Sequence, residues 1–173
     1  MKVLTIITDL LWHIGKSSKS LYSNKMKSIP TSLFLLLTLF INAQKIDYNI
    51  EKGYVAEGYD VVEYFNNVAR EGNSNYQTIH DGVKYKFISQ KNLQTFKGSP
   101  ERFIPQYGGY CAYAIAKKNK KVSIDPKTFE IRDGKLYLFY NSWGNNTLNS
   151  WLRESPNDLR KKADSNWKKS LKN

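Results

Sequence analysis

Two side chains in this sequence stand out for chemistry because each is single. Beyond residue 43 there is one cysteine, Cys111, one histidine, His80, and no methionine. A thiolate is a nucleophile or a soft-metal ligand, and an imidazole is a general base or a metal ligand. A Cys–His dyad or a shared metal would require the fold to bring the two within hydrogen-bond reach, which the sequence leaves open. A structural zinc site takes four Cys or His ligands, so a transition metal held by this segment alone would need carboxylates as well. Thioether sites for copper(I) are excluded, and so is any disulfide within one chain.

Cys111 lies in Tyr107-Gly108-Gly109-Tyr110-Cys111-Ala112-Tyr113, a Gly-Gly bend crowded with tyrosines. Functionally, Tyr107, Gly108, Gly109, Tyr110, Cys111 and Tyr113 would line a ligand pocket, with an amide-rich bend suited to an anion. The plainer reading makes Cys111 a buried small hydrophobe, as most free cysteines are. His80 directly precedes Asp81-Gly82, where a solvated turn residue is ordinary. Cys111 and His80 are therefore the candidate metal ligands, with packing and solvation as their competing roles. Among the acidic residues, Asp60 reads as a helix cap, Asp125 before Pro126 as a turn former, and Glu57 has no marked partner. No spacing singles out a general acid and base. The runs Lys117-Lys118-Asn119-Lys120-Lys121, Arg160-Lys161-Lys162 and Lys168-Lys169 read as solvated faces, and no phosphate-cradling Gly loop appears.

The elements that must position these residues are legible in outline. Residues 44–55 alternate weakly (Ile46, Tyr48, Ile50), as in a strand. Asp60-Val61-Val62-Glu63 has the spacing of a capping box, which predicts a short helix through Tyr64-Phe65. Asn66-Asn67 and Gly72-Asn73-Ser74-Asn75 read as loops. Asp81-Gly82 and Asp133-Gly134 each sit between apolar runs and predict two-residue type I′ turns, hence two hairpins. Ser89 caps a helix to Lys97 that Gly98 ends, and Ser99-Pro100 starts another. After Ser155-Pro156, Leu159, Ala163, Trp167 and Leu171 recur every four residues, as on one stripe of an amphipathic helix. The expected fold is a small α+β domain in which the two hairpins share one antiparallel sheet covered by helices, with a C-terminal amphipathic helix.

The N-terminal segment reads as targeting rather than structure. Leu33–Ile41 is an uncharged apolar run of nine residues behind Lys25 and Lys27, and it ends at Asn42-Ala43. That is too short to span a bilayer, which takes about 20 residues, and it has the parts of a cleavable signal peptide. The expected organisation is a leader or over-extended start at 1–25, a signal peptide at 26–43 beginning at Met26, and a domain at 44–173. Export to a periplasmic or extracellular space follows, with no transmembrane anchor in the mature chain. The mature chain carries 22 basic and 14 acidic residues, a formal charge of +8. Export disfavours nucleic acid as the partner despite this charge, and leaves a small molecule or another protein.

Several blocks together resemble an exported YHS-domain protein. They are Gly58-Tyr59-Asp60-Val61-Val62-Glu63-Tyr64-Phe65, Tyr85-Lys86-Phe87-Ile88-Ser89, Ser99-Pro100-Glu101-Arg102-Phe103, Gln106 to Ala114, Ile124-Asp125-Pro126, and Asp133 to Leu138. The likeness runs from about Gly53 to Trp167. It implies a small binding module, and in many members a metal ion is the cofactor. In those, cysteines and a histidine lie around a Tyr-His-Phe-Cys-Ser segment. Here Lys86 and Ile88 stand where that histidine and cysteine would be, so the usual soft ligands are mostly absent. The leading expectation is a module that holds a small ligand or a metal near the Gly-Gly-Tyr-Cys segment. The alternative is a Cys111-dependent redox protein or enzyme.

Overall fold

Residues 47–172 are described by the computed structural model; the expected leader at 1–25 and signal peptide at 26–43 lie outside them. The described chain opens with β1 (Ile50–Glu51) and β2 (Tyr54–Val55), a two-residue ladder turned by Lys52 and Gly53 at positive φ. The two larger hairpins form where the Asp-Gly pairs place them. β3 (Asn73–His80) pairs with β4 (Val83–Phe87), His80 opposite Val83, and Asp81 and Gly82 take φ 51° and 78°. β5 (Asp125–Arg132) pairs with β6 (Lys135–Phe139) through Asp133 and Gly134 at φ 49° and 70°. Two successive positive φ angles define the type I′ turn and explain why glycine takes its second position. The polar stretch expected as a loop at 72–75 is largely strand: Asn73–Asn75 open β3, and the register shifts between Asn73 and Gln77, so a bulge absorbs them.

The hairpins do not share a sheet, contrary to the expectation; each is a separate two-stranded ladder. The reason lies in Leu136-Tyr137-Leu138-Phe139, all four of which are buried. Leu136 and Leu138 pack in one core with Tyr85, Phe87 and Phe96, whereas Tyr137 and Phe139 pack in a second with Ile115, Trp151, Leu159 and Ala163. A strand apolar on both faces must be covered on both. β6 therefore contributes side chains to both cores, and it shares the first with the β3–β4 hairpin without a backbone ladder between them. Tyr85, Phe87, Leu136 and Leu138 are at most 1% exposed.

Helices fill the rest of this α+β domain. α1 (Gln90–Gly98) starts at Ser89, whose hydroxyl accepts from Asn92 N at 3.2 Å, and it buries Leu93 and Phe96. α2 (Pro100–Phe103) follows with proline in its first turn. α3 (Ala112–Lys118), the small β7–β8 hairpin (Asn141–Ser142 with Asn145–Asn146) and α4 (Thr147–Arg153) complete the middle. α5 (Pro156–Ser170) docks by Leu159 and Ala163, which are buried, while Trp167 and Leu171 are only partly so. Ser99 and Ser155 precede their prolines but do not cap: their hydroxyls donate to Gly98 O and to Asp158 Oδ2. Among the described residues no helix is long and apolar enough to cross a membrane.

The capping box at Asp60–Glu63 is also corrected. Asp60 N already donates to Arg70 O at 2.9 Å, so the Glu63 carboxylate has nothing to cap there. It accepts from Asn92 Nδ2 at 2.9 Å and Asn66 Nδ2 at 3.2 Å instead, and the segment Glu63–Asn66 is a short 3-10 turn. Asp60 is wholly buried and accepts from Val62 N, Ile88 N and Asn92 Nδ2 at 2.8–2.9 Å. This one carboxylate joins the 3-10 turn, the end of β4 and α1.

Candidate functional site

The Gly-Gly bend is a 3-10 turn, Gln106–Gly109, in which Tyr107, Gly108 and Gly109 all have positive φ: 56°, 63° and 84°. Tyr107 bears the strain that a side chain pays in this region. Its hydroxyl donates to Asp164 Oδ1 at 2.8 Å, and its ring packs near Tyr137 and Trp167. Burial, and after it the Asp164 hydrogen bond, raises the Tyr107 phenol well above its ordinary value. At Gly108 a Cβ would lie 2.1 Å from Asp47 O, so only glycine lets the entering chain lie on the bend. Asn49 then bonds it twice, N to Gly108 O at 2.8 Å and Nδ2 to Gly109 O at 3.2 Å.

Cys111 sits at the start of α3 and is wholly buried. Its Sγ is 3.3 Å from Thr147 Oγ1, and that hydroxyl donates to Tyr140 O at 2.7 Å. A hydroxyl has one hydrogen, so the thiol is the donor to Thr147. The amides of Tyr110 and Cys111 donate to Tyr107 O and Val122 O, which removes them as anion-binding groups. Tyr110 and Tyr113 turn outward, their hydroxyls donating to Asp47 at 3.3 Å and Glu154 at 2.7 Å. The six residues expected to line one pocket thus divide among three environments: bend, core and surface.

A cleft of about 320 Å³ opens beside the bend. Tyr107 and Gly108 form its floor, Ile104, Pro105, Trp167 and Leu171 give apolar walls, and Glu101, Asp164 and Lys168 are charged groups on its lining. Tyr48 and Gln106 also line it; burial and then the charge of Asp81 push the Tyr48 phenol up to about 12. Gly109, Tyr110, Cys111 and Tyr113 are not among the lining residues. Trp167, Ile104 and Asp164 carry no local sequence signal for this role, since they come from α5 and the loop after α2.

His80 is not the solvated turn residue expected. Its side chain is 26% exposed, and its Nε2 lies 3.5 Å from Glu101 Oε1 and 3.7 Å from Asp81 Oδ1. Its ring meets Phe96 edge-on at 5.8 Å. Cys111 shares none of these neighbours, so the two single residues serve separate places. No family model, curated protein or solved structure matches the chain.

Proposed function

We propose that this chain is an exported, YHS-like binding module that holds one small, largely apolar molecule with a polar end in the cleft beside Tyr107-Gly108. The observation that carries this reading is the cleft itself. It is concave, mostly apolar and bordered by a few charged groups, which is the make-up of a ligand site, at the small end of the usual range of about 300–1,000 Å³. A bend in a costly conformation, fixed by Asp164 and Asn49, gives it a rigid floor. A catalytic role for Cys111 has less support. Its thiol is out of contact with solvent, donates to Thr147 and has no base beside it, whereas reactive cysteines sit in accessible, electropositive surroundings.

The test uses 1-anilinonaphthalene-8-sulfonate, an aromatic anion that fluoresces in apolar clefts. Titration into the full chain should show one saturable site, and Leu171→Trp, which fills the cleft from the end of α5, should weaken it at least tenfold. Equal binding by wild type and Leu171→Trp would refute the proposal.

A further inference from the structure

On one flank of the cleft three metal-ligating side chains converge. His80 ends β3, Asp81 opens the turn, and Glu101 lies in the first turn of α2. One ligand atom from each lies within 4.8 Å of the other two. The two short contacts of His80 Nε2 are not hydrogen bonds: the atom is buried and has no hydrogen-bond partner among the described residues. Tyr85, 1% exposed, carries a buried hydroxyl that also has no hydrogen-bond partner among the described residues. Burial first, and then the neighbouring Tyr48, raises the phenol of Tyr85. Tyr48 in turn donates to Asp81 Oδ2 at 3.2 Å. Orphaned polar atoms in a buried setting cost stability unless something satisfies them.

We infer that His80, Asp81 and Glu101 bind a divalent metal ion of the zinc class. Two carboxylates and a neutral imidazole bring a charge of −2, which one divalent ion neutralises. The domain as a whole carries a formal charge of +8, so a site of charge −2 stands out as a place to hold a cation. Three ligands about 2.1 Å from a tetrahedral zinc ion stand roughly 3.4 Å apart, close to the 3.5 and 3.7 Å found from Nε2 to the two carboxylates. Glu101 has a side chain 85% exposed and is free to close the remaining gap. An imidazole nitrogen favours zinc over calcium or magnesium, which take oxygen ligands. The site adjoins the cleft, because Tyr48 and Glu101 line it too, but it does not depend on what the cleft holds.

Calorimetric titration of zinc chloride into the metal-stripped full chain tests this. One ion per chain is expected, with binding weakened at least tenfold in Asp81→Asn and in Glu101→Gln and lost in the His80→Gln, Glu101→Gln double variant. Glu101→Gln alters an exposed side chain, so it remains informative if a His80 variant fails to fold. Calcium should bind at least a hundredfold more weakly than zinc, and Cys111→Ser should bind zinc as wild type does. Zinc uptake that is absent from wild type, undiminished in Glu101→Gln and Asp81→Asn, or lost in a folded Cys111→Ser protein would overturn the inference. So would calcium binding as tight as zinc binding.

Discussion

Gly108→Ala probes the floor of the cleft, and its cost follows from the structure. An alanine at φ 63° pays the left-handed penalty of about 1–2 kcal/mol. Its Cβ, 2.1 Å from Asp47 O and 3.2 Å from Trp167 Cη2, would also drive the entering chain off the bend. That breaks the two Asn49 hydrogen bonds, at about 1 kcal/mol each. Alanine also restricts the unfolded chain, which offsets less than about 1 kcal/mol. The net loss is about 2–4 kcal/mol, or a fall of roughly 7–15 °C in Tm for a domain of this size. Two controls separate the terms. Gly134→Ala has φ 70° with nothing within 4 Å of its Cβ, so it pays only the conformational penalty of about 1–2 kcal/mol, less the same unfolded-state offset. Gly98→Ala has open space and no positive φ and should be neutral or slightly stabilising. Urea unfolding followed by far-UV circular dichroism measures all three. A Gly108→Ala protein as stable as Gly134→Ala would refute the claim that the entering chain packs on this glycine.

Asp60→Ala removes three hydrogen bonds to a buried charge, each worth about 1.5–3 kcal/mol, so unfolding free energy should fall by more than about 4 kcal/mol; a loss below 1 kcal/mol in urea titration contradicts the network. Cys111→Ser should cost about 1–2 kcal/mol, and in the native wild type an aromatic disulfide reagent should label the thiol only as fast as the protein unfolds. Burial first, then nearby charges for Tyr64 and the Asp164 hydrogen bond for Tyr107, raises both phenols above the ordinary value of 10. The native state then holds protons that the unfolded chain releases, so stability is complete below about pH 10 and declines as the pH climbs beyond it. Stability measured in urea that is unchanged from pH 9 to 11.5 would contradict this.

The hairpins were legible because Asp-Gly demands a specific turn, and α1 because Ser89 and Gly98 mark both ends. The separation of the sheets was also written in the sequence, in four consecutive apolar residues at 136–139, but alternation alone does not say which element covers the second face. The capping box failed on a competing partner, Arg70 O, that only the fold brings to Asp60 N. The cleft was half legible. Tyr107 and Gly108 belong to a marked motif, yet the walls come from Ile104, Trp167 and Leu171, up to 64 residues along the chain from Tyr107, and no local pattern announces them. His80 was misread for the same reason: Asp81 is its neighbour in sequence, but Glu101 arrives on α2. Cys111 drew notice for its rarity, which says nothing about whether a thiol meets solvent.

Native mass spectrometry of the protein purified from its natural source tests the central claim most directly. The account predicts that wild type carries one small organic molecule, released on denaturation and missing from Leu171→Trp. Wild type and Leu171→Trp both flying at the mass of the bare chain would contradict it.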